Sequence, residues 1–437
     1  MIGRIAAAAG IGLLTILAAF PAHAQTDSCW SLEQCLRAAV ETSPRLQASA
    51  QTARAAAAAA REASANRWPT LGVSGSFAYT SETQQIDIPA PPIPNYTPPK
   101  IRFYNDNLYD LAVNARIPIY AGGALWERMH AEAFGRQAAA FDLRSDSLQL
   151  AHDVRRAYFN ALGCQARADA ARLRVNRLER HLQELTSALS VGTASEESRL
   201  MALSKLRQAE QAVLTAEAEA TAARLSLGNL VGQPEREIHP ASDLNAPLAD
   251  SSLSPLPVES RADVSATQAR IEQNRRLALA ARGALLPSLS GSATYHYGKP
   301  GVNMTENQWM DYYTLALTAS WTLWDWQGRA QRVSQSRAAS HAVEERRTDL
   351  VNALNTHYRT ALSTLHTAQA AQTKAAERTD IERRRLDLVE GRMRQGLASE
   401  SEYLDISDDL AAAETDLVSA TTQLRLAEAD LLSAAGY

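Results

Sequence analysis

The 437-residue sequence has few of the patterns that carry chemistry. It contains no H-E-x-x-H, no C-x-x-C, no P-loop and no nucleophile elbow, so the familiar arrangements for metal, redox, phosphate and acyl chemistry are missing. The histidines are scattered; His357 and His366 stand nine apart, with no further ligands spaced to complete a metal site. No enzyme activity, no cofactor and no metal centre is expected. Beyond the N-terminal segment no apolar run approaches the ~20 residues that a membrane helix needs. A chain like this enters a membrane, if at all, with strands. The net charge is −4, and the absence of a basic face or tail argues against a nucleic-acid partner.

Arg4 is the only charge before a largely apolar run over residues 5–20, and Ala22-His23-Ala24 follows. This pattern predicts a signal peptide over residues 1–24 and a mature chain from Gln25. Removing Arg4 leaves 43 basic against 48 acidic residues, a net charge of −5. Of the three cysteines, Cys29 and Cys35 lie near that new terminus. Ser31 and Gln34 form a capping box that starts a helix at Leu32. Two cysteines six apart within one helix would sit ~9 Å apart along its axis, too far to bridge. Cys29 precedes the cap, however, and a Cys29–Cys35 disulfide stays open. Thr26-Asp27-Ser28 does not resemble a lipoprotein cleavage box.

The rest of the chain says everything twice. Residues 25–232 form a first repeat and 259–437 a second, joined by a Pro-, Ser- and Asp-rich linker over 233–258. Trp68-Pro69-Thr70-Leu71 is answered by Leu286-Pro287-Ser288-Leu289. Arg116-Ile117-Pro118-Ile119-Tyr120-Ala121-Gly122-Gly123 is answered by Trp321-Thr322-Leu323-Trp324-Asp325-Trp326-Gln327-Gly328. Each half then breaks at a glycine, Gly192 or Gly396, and ends at another, Gly232 or Gly436; both pairs are offset by 204.

Four segments alternate with period two: residues 71–80, 108–118, 288–297 and 313–323. In the first, Leu71, Val73, Phe77 and Tyr79 share one face, and Gly72, Ser74, Ser76 and Thr80 the other. Such lengths fit the ~9–11 residues of a tilted membrane strand, and apolar-out, polar-in alternation is the pattern of a membrane barrel. The predicted hairpins span 71–118 and 288–323. Trp68, Tyr79, Tyr109, Tyr120, Trp321 and Trp324 gather toward the strand ends, as interfacial aromatics do. The proline-dense connection over 81–107 reads as an outer loop without strand or helix. Four strands leave open edges, which cost several kcal/mol per unpaired group in lipid, so the chain must assemble with copies of itself.

Between the strands and the glycines run two proline-free stretches, residues 124–190 and 329–394. Each would span ~100 Å as a helix, a length that needs neighbours throughout. Leu173, Leu178, Leu182, Leu185 and Leu189 recur at helical spacing among many alanines, which permits close packing of helix on helix.

This order of features resembles the TolC-like outer-membrane efflux family over essentially the whole mature chain: a Leu32-Glu33-Gln34 helix, Arg67-Trp68-Pro69-Thr70-Leu71, a hairpin, Pro118-Ile119-Tyr120-Ala121-Gly122-Gly123, a long helix, a glycine tip and a returning helix, all repeated. The resemblance implies a mainly α fold with a membrane β-barrel. It implies a homotrimer whose twelve-stranded barrel sits in outer-membrane lipid above a helical periplasmic tunnel. It also implies an exit duct for tripartite efflux or type I secretion, working with a periplasmic adaptor and an inner-membrane transporter. Family members meet the adaptor through a Val-Gly-Leu/Thr-type turn, which falls here on Val191, Gly192 and Thr193 and on Gly396 and Leu397, with Gln395 departing from it. Relatives place acids six and nine residues after the second tip glycine, at the narrowest point of the tunnel; Glu402 and Asp405 stand at those distances. Ser399 and Glu402 also spell a capping box, a purely structural role. Met393 and Ala398 occupy the places where a tyrosine and an arginine lock the closed state in relatives. The competing expectation is a periplasmic coiled-coil scaffold without a lumen.

Overall fold

The computed structural model describes residues 29–82, 85–87, 100–103, 106–246, 248 and 255–437. The expected signal peptide lies outside the described residues, as do parts of the connection over 81–107 and of the linker. The chain begins with α1 (Leu32–Thr42) and α2 (Pro44–Ala65). Ser31 caps α1 with both halves of the box in place: Gln34 N donates to Ser31 Oγ at 3.3 Å, and Ser31 N donates to Gln34 Oε1 at 2.8 Å. Strands β1 (Thr70–Tyr79), β2 (Gln85–Asp87), β3 (Lys100–Arg102) and β4 (Asn107–Ala121) follow, then α3 (Ala124–Ser190) and α4 (Glu196–Leu230). The second half holds α5 (Ala262–Gly283), β5 (Ser288–Lys299), β6 (Met310–Ser320), α6 (Gly328–Arg394) and α7 (Glu400–Ala435).

Helices α3 and α6 have 67 residues each, about 100 Å of rise. Such rods persist only when covered along their length. Here α3 packs against α2 and α5 toward the sheet and against α4 and α7 toward the far end, while α6 packs against α5 and α7. Small residues set the spacing: a Cβ on Gly163 of α3 would lie 2.3 Å from Thr422 Oγ1 of α7. The short helices meet the returning ones end to end. Thr42 Oγ1 donates to the Val231 carbonyl at 2.9 Å, and Arg261 Nη1 to the Ala434 carbonyl at 2.8 Å. Gly232 and Gly436 close α4 and α7 with φ of +78° and +99°, the left-handed cap that glycine adopts without a side-chain penalty.

The main apolar cluster lies at this junction, around Tyr158, Val154, Leu227, Val231 and Ile238. Tyr158 is fully buried, and its hydroxyl lies 3.0 Å from the Trp30 carbonyl and 2.9 Å from Ser242 Oγ. The linker is thereby held against α3. Arg425 and Glu428, both buried on α7, hold it from the other side: Arg425 Nε donates to the Leu244 carbonyl at 3.0 Å, and Glu428 accepts from Leu248 N at 2.9 Å.

The four long strands form one antiparallel sheet in the order β1-β4-β5-β6. Leu71, Val73, Phe77 and Tyr79 share a face with Leu111, Val113, Tyr295, Leu315 and Leu317. The other face carries Ser74, Ser76, Asn114, Thr294, His296 and Thr318. Neither face is covered, and Leu71, Val73 and Leu315 are each more than 70% exposed. No helix among the described residues is long and apolar enough to cross a membrane. Three details differ from the sequence expectations. Residues 85–87 and 100–102 pair as a short ribbon inside the connection read as irregular. The second strand extends to Ala121 through a bulge between Pro118 and Tyr120, since a bulge lets a ladder pass a residue that lacks an N–H. The fourth strand begins at Met310 and stops at Ser320 instead of running to Leu323, because residues 321–323 lie past Ser288, the first residue of β5.

Cys29, Cys35 and Cys164 are all free thiols in the structure. Cys35 is a core residue of α1, whereas Cys29 is exposed. Burial pushes the Cys35 thiol up to about 11, and only the thiolate attacks disulfide reagents. At pH 8 an aromatic disulfide reagent should therefore label Cys29 rapidly, and Cys35 and Cys164 only after denaturation. Absence of any rapid label before reduction would show that a bridge forms after all.

Candidate functional site at the helical tips

The two turns farthest from the sheet are built alike. Helix α3 ends where Gly192 takes φ +79°, and α6 ends where Gly396 takes φ +73°. Thr193 N donates to the Ala188 carbonyl and Leu397 N to the Arg392 carbonyl, at 2.9 and 2.8 Å. This six-to-one closure, with glycine left-handed at its centre, is the Schellman turn. No atom lies within 4 Å of a Cβ built on either glycine, so backbone conformation rather than crowding demands glycine there. The chain re-enters helix through Ser195 and Ser399, whose hydroxyls accept from Ser198 N and Glu402 N at 3.1 and 3.2 Å. Val191 and Leu397 stand out from the tips, 73% and 64% exposed. Two apolar side chains held outward by well-made caps form a surface suited to a partner.

The two acids after Gly396 have different surroundings. Glu402 is held by Arg392 of α6, Nη1 to Oε1 at 2.7 Å, and Arg392 also donates to the Leu397 carbonyl. The capping box expected with Ser399 is thus half made: the hydroxyl accepts from Glu402 N, but the Glu402 carboxylate turns to Arg392. Asp405 is exposed. Met393 and Ala398 pack against the apolar cluster of Leu178, Leu386, Tyr403 and Leu410.

Three residues of this region carried no signal along the chain. His181 of α3 and Glu400 of α7 lie 2.7 Å apart, both side chains 7% exposed. Tyr403 lies against the imidazole at 4.1 Å between ring centroids. Burial, reinforced by the carboxylates of Glu390, Glu184 and Glu400, pushes the Tyr403 phenol up to about 12, so it stays a neutral hydrogen-bonding group. His181 and Tyr403 line a groove of about 600 Å³ between α3, α6 and α7, with Arg180, Glu184, Glu390 and Arg394 on its walls. His181 and Glu400 are separated by 219 positions in sequence, and no period relates them.

A family model described as outer membrane efflux protein matches residues 35–233 and 255–437. Among solved structures, the chain resembles the open-state MtrE outer membrane channel of Neisseria gonorrhoeae, with 18% identity and a TM-score of 0.77 over 94% of this chain and 92% of that one. It also resembles the outer membrane protein VceC of Vibrio cholerae, at 18% identity and 0.76 over 93% and 96%. The CmeC outer membrane channel of Campylobacter jejuni aligns at 15% identity and 0.75 over 100% and 94%. No curated protein matches the sequence.

Proposed function

From the premise that the chain belongs to the outer membrane efflux protein family, we propose that three copies close a twelve-stranded barrel and form the exit duct of a tripartite efflux or type I secretion system. The barrel sits in the outer membrane and the helices reach through the periplasm. The observation that carries this reading is the sheet: one apolar and one small polar face, both uncovered, with two bare edges, at the opposite end of 67-residue helices from the glycine tips. In water such a surface aggregates; in lipid it is stable once the edges pair. A lumen-free scaffold would have no use for it.

In this reading Val191, Gly192, Thr193, Gly396 and Leu397 meet a periplasmic adaptor, and the neighbouring groove over His181 and Tyr403 receives part of the same partner. Glu402 and Asp405 face the lumen near its periplasmic end. An energised inner-membrane transporter delivers the cargo. Mass determination in detergent should give a trimer with strand content by circular dichroism. Crosslinking in cells followed by purification should bring down the adaptor and its transporter, whose identity separates efflux from type I secretion. A monomer without strand signal in the membrane fraction would end the proposal.

A further inference from the structure

The two hairpins are built in one register. Thr70 faces Arg116 in the first and Ser288 faces Ser320 in the second, giving offsets of 218 (288 − 70) for the leading strands and 204 (320 − 116) for the trailing ones. The same offsets carry Gly75↔Leu111 onto Ala293↔Leu315 and Phe77↔Tyr109 onto Tyr295↔Tyr313. The β4–β5 ladder joins the trailing strand of one hairpin to the leading strand of the next. The equivalents of those two strands are β6 and β1, the two bare edges of the sheet.

We infer that neighbouring copies of this chain join through a β6–β1 ladder in the register of the chain's own β4–β5 ladder, with Ser320 opposite Ser74. This rests on the reading that copies close a barrel, and it says which residues make the seam. Applying the offsets, Arg116↔Ser292 becomes Ser320↔Ser74, and Asn114↔Thr294 becomes Thr318↔Ser76. Val113↔Tyr295 becomes Leu317↔Phe77, Leu111↔Tyr297 becomes Leu315↔Tyr79, and Ile117↔Gly291 becomes Trp321↔Val73.

The residue types agree with this register. Hydroxyls oppose hydroxyls on the polar face, and aliphatic or aromatic side chains meet on the other. A slip by one residue would turn one strand's whole apolar set to the wrong face. Exposure agrees too. On the edge strands Val73 and Leu315 are 74% and 72% exposed, against 46% and 49% for Val113 and Tyr295 on the inner strands.

The early end of β6 also finds its reason. Residues 321–325 are the counterparts of 117–121, which pair with β5. The offsets place Trp324 opposite Leu71 and Asp325 opposite Thr70 of the next copy, with Leu323 in the bulge that Ile119 occupies. The seam stops there. A Cβ on Gly122 would lie 2.1 Å from the Gly283 carbonyl, whereas the corresponding residues, Trp326 and Ala65, both carry one. Trp326 keeps a left-handed φ of +53°, close to the +60° of Gly122, so the turn is preserved while the helices beneath it stand further apart between copies than within one.

Opposed residues in a ladder hold their Cβ atoms within about 5.5 Å, near enough for a disulfide after small adjustment. In the full-length protein carrying Cys29→Ser, the pairs Ser74→Cys with Ser320→Cys and Ser76→Cys with Thr318→Cys should oxidise in outer-membrane fractions into covalent chains of copies, with loss of the monomer band on a denaturing gel. The pairs Ser76→Cys with Ser320→Cys and Ser74→Cys with Thr318→Cys, shifted by two residues either way, should leave that band in place, as should each single cysteine. An oligomer of unchanged mass that crosslinks best through a shifted pair would overturn the register and leave the assembly standing. A monomeric mass in detergent with no crosslink from any pair would overturn the assembly, and the seam with it.

Discussion

Changing Asp405 to Asn is expected to remove most of the cation selectivity of the assembled channel while leaving its thermal stability unchanged. If Glu402 and Asp405 face the lumen, three copies place six carboxylates in one ring. They are not equal. Each Glu402 is matched by Arg392 at 2.7 Å, so that pair adds little net charge, whereas Asp405 is exposed and contributes its full charge. A charge on a pore wall acts on ions a few ångströms away, well inside the ~8 Å screening length of physiological salt. Asp405 also lies beyond the first turn of α7, which starts at Glu400, so its interaction with the helix dipole is small. The amide should cost under ~0.5 kcal/mol. Changing Glu402 to Gln removes a negative charge and releases Arg392. The double variant should therefore pass from cation-selective to anion-selective rather than merely neutral. The lost ion pair is half-exposed and should cost only ~0–1 kcal/mol. Reversal potentials across a planar bilayer under a salt gradient read both effects. Unchanged selectivity in Asp405→Asn, with the trimer intact, would remove Asp405 from the pore.

Gly192→Val should abolish export without disturbing insertion. The φ of +79° at Gly192 costs an ordinary L-residue about 1–2 kcal/mol, and a β-branched one more. With nothing within 4 Å of the added Cβ, the whole penalty is conformational, and the turn relieves it by abandoning the bond from Thr193 N to the Ala188 carbonyl. Val191 and Thr193 then leave the positions in which they are presented. Asn tolerates the left-handed region better than Ala, and Ala better than Val, so export should fall in the order Gly, Asn, Ala, Val. A steric effect would instead follow side-chain volume and place Ala ahead of Asn. The sheet lies about 100 Å away along α3, so the amount of trimer in the outer membrane should stay constant through the series. Export by the Val variant at the normal rate, with normal adaptor crosslinking, would show that the tip geometry is not read by a partner.

Much of the fold was legible because its determinants are local. Alternation of Leu71, Val73, Phe77 and Tyr79 is a property of one strand, whatever it pairs with. The proline-free stretches around α3 and α6 and the glycines that close them needed no knowledge of neighbours. Errors arose where a second strand or a distant helix decides. The β2–β3 ribbon was hidden by the prolines between its strands. The end of β6 is set by the reach of β5. Glu402 looked like half of a capping box with Ser399 because those residues are close in sequence, whereas Arg392 is close only after the turn folds.

The sequence by itself determined the repeat, the strand faces, the lengths of the rods and the breaks at Gly192 and Gly396, since sterics and periodicity act within a few residues. Only the tertiary structure decided that His181 meets Glu400, that Arg425 and Glu428 hold the linker, that Cys35 is buried apart from Cys29, and in which register β4 pairs with β5. Those contacts depend on how far each helix is rotated about its axis and how closely two axes approach. Such quantities are set by the packing of alanines and glycines such as Gly163 against Thr422, and no single segment encodes them.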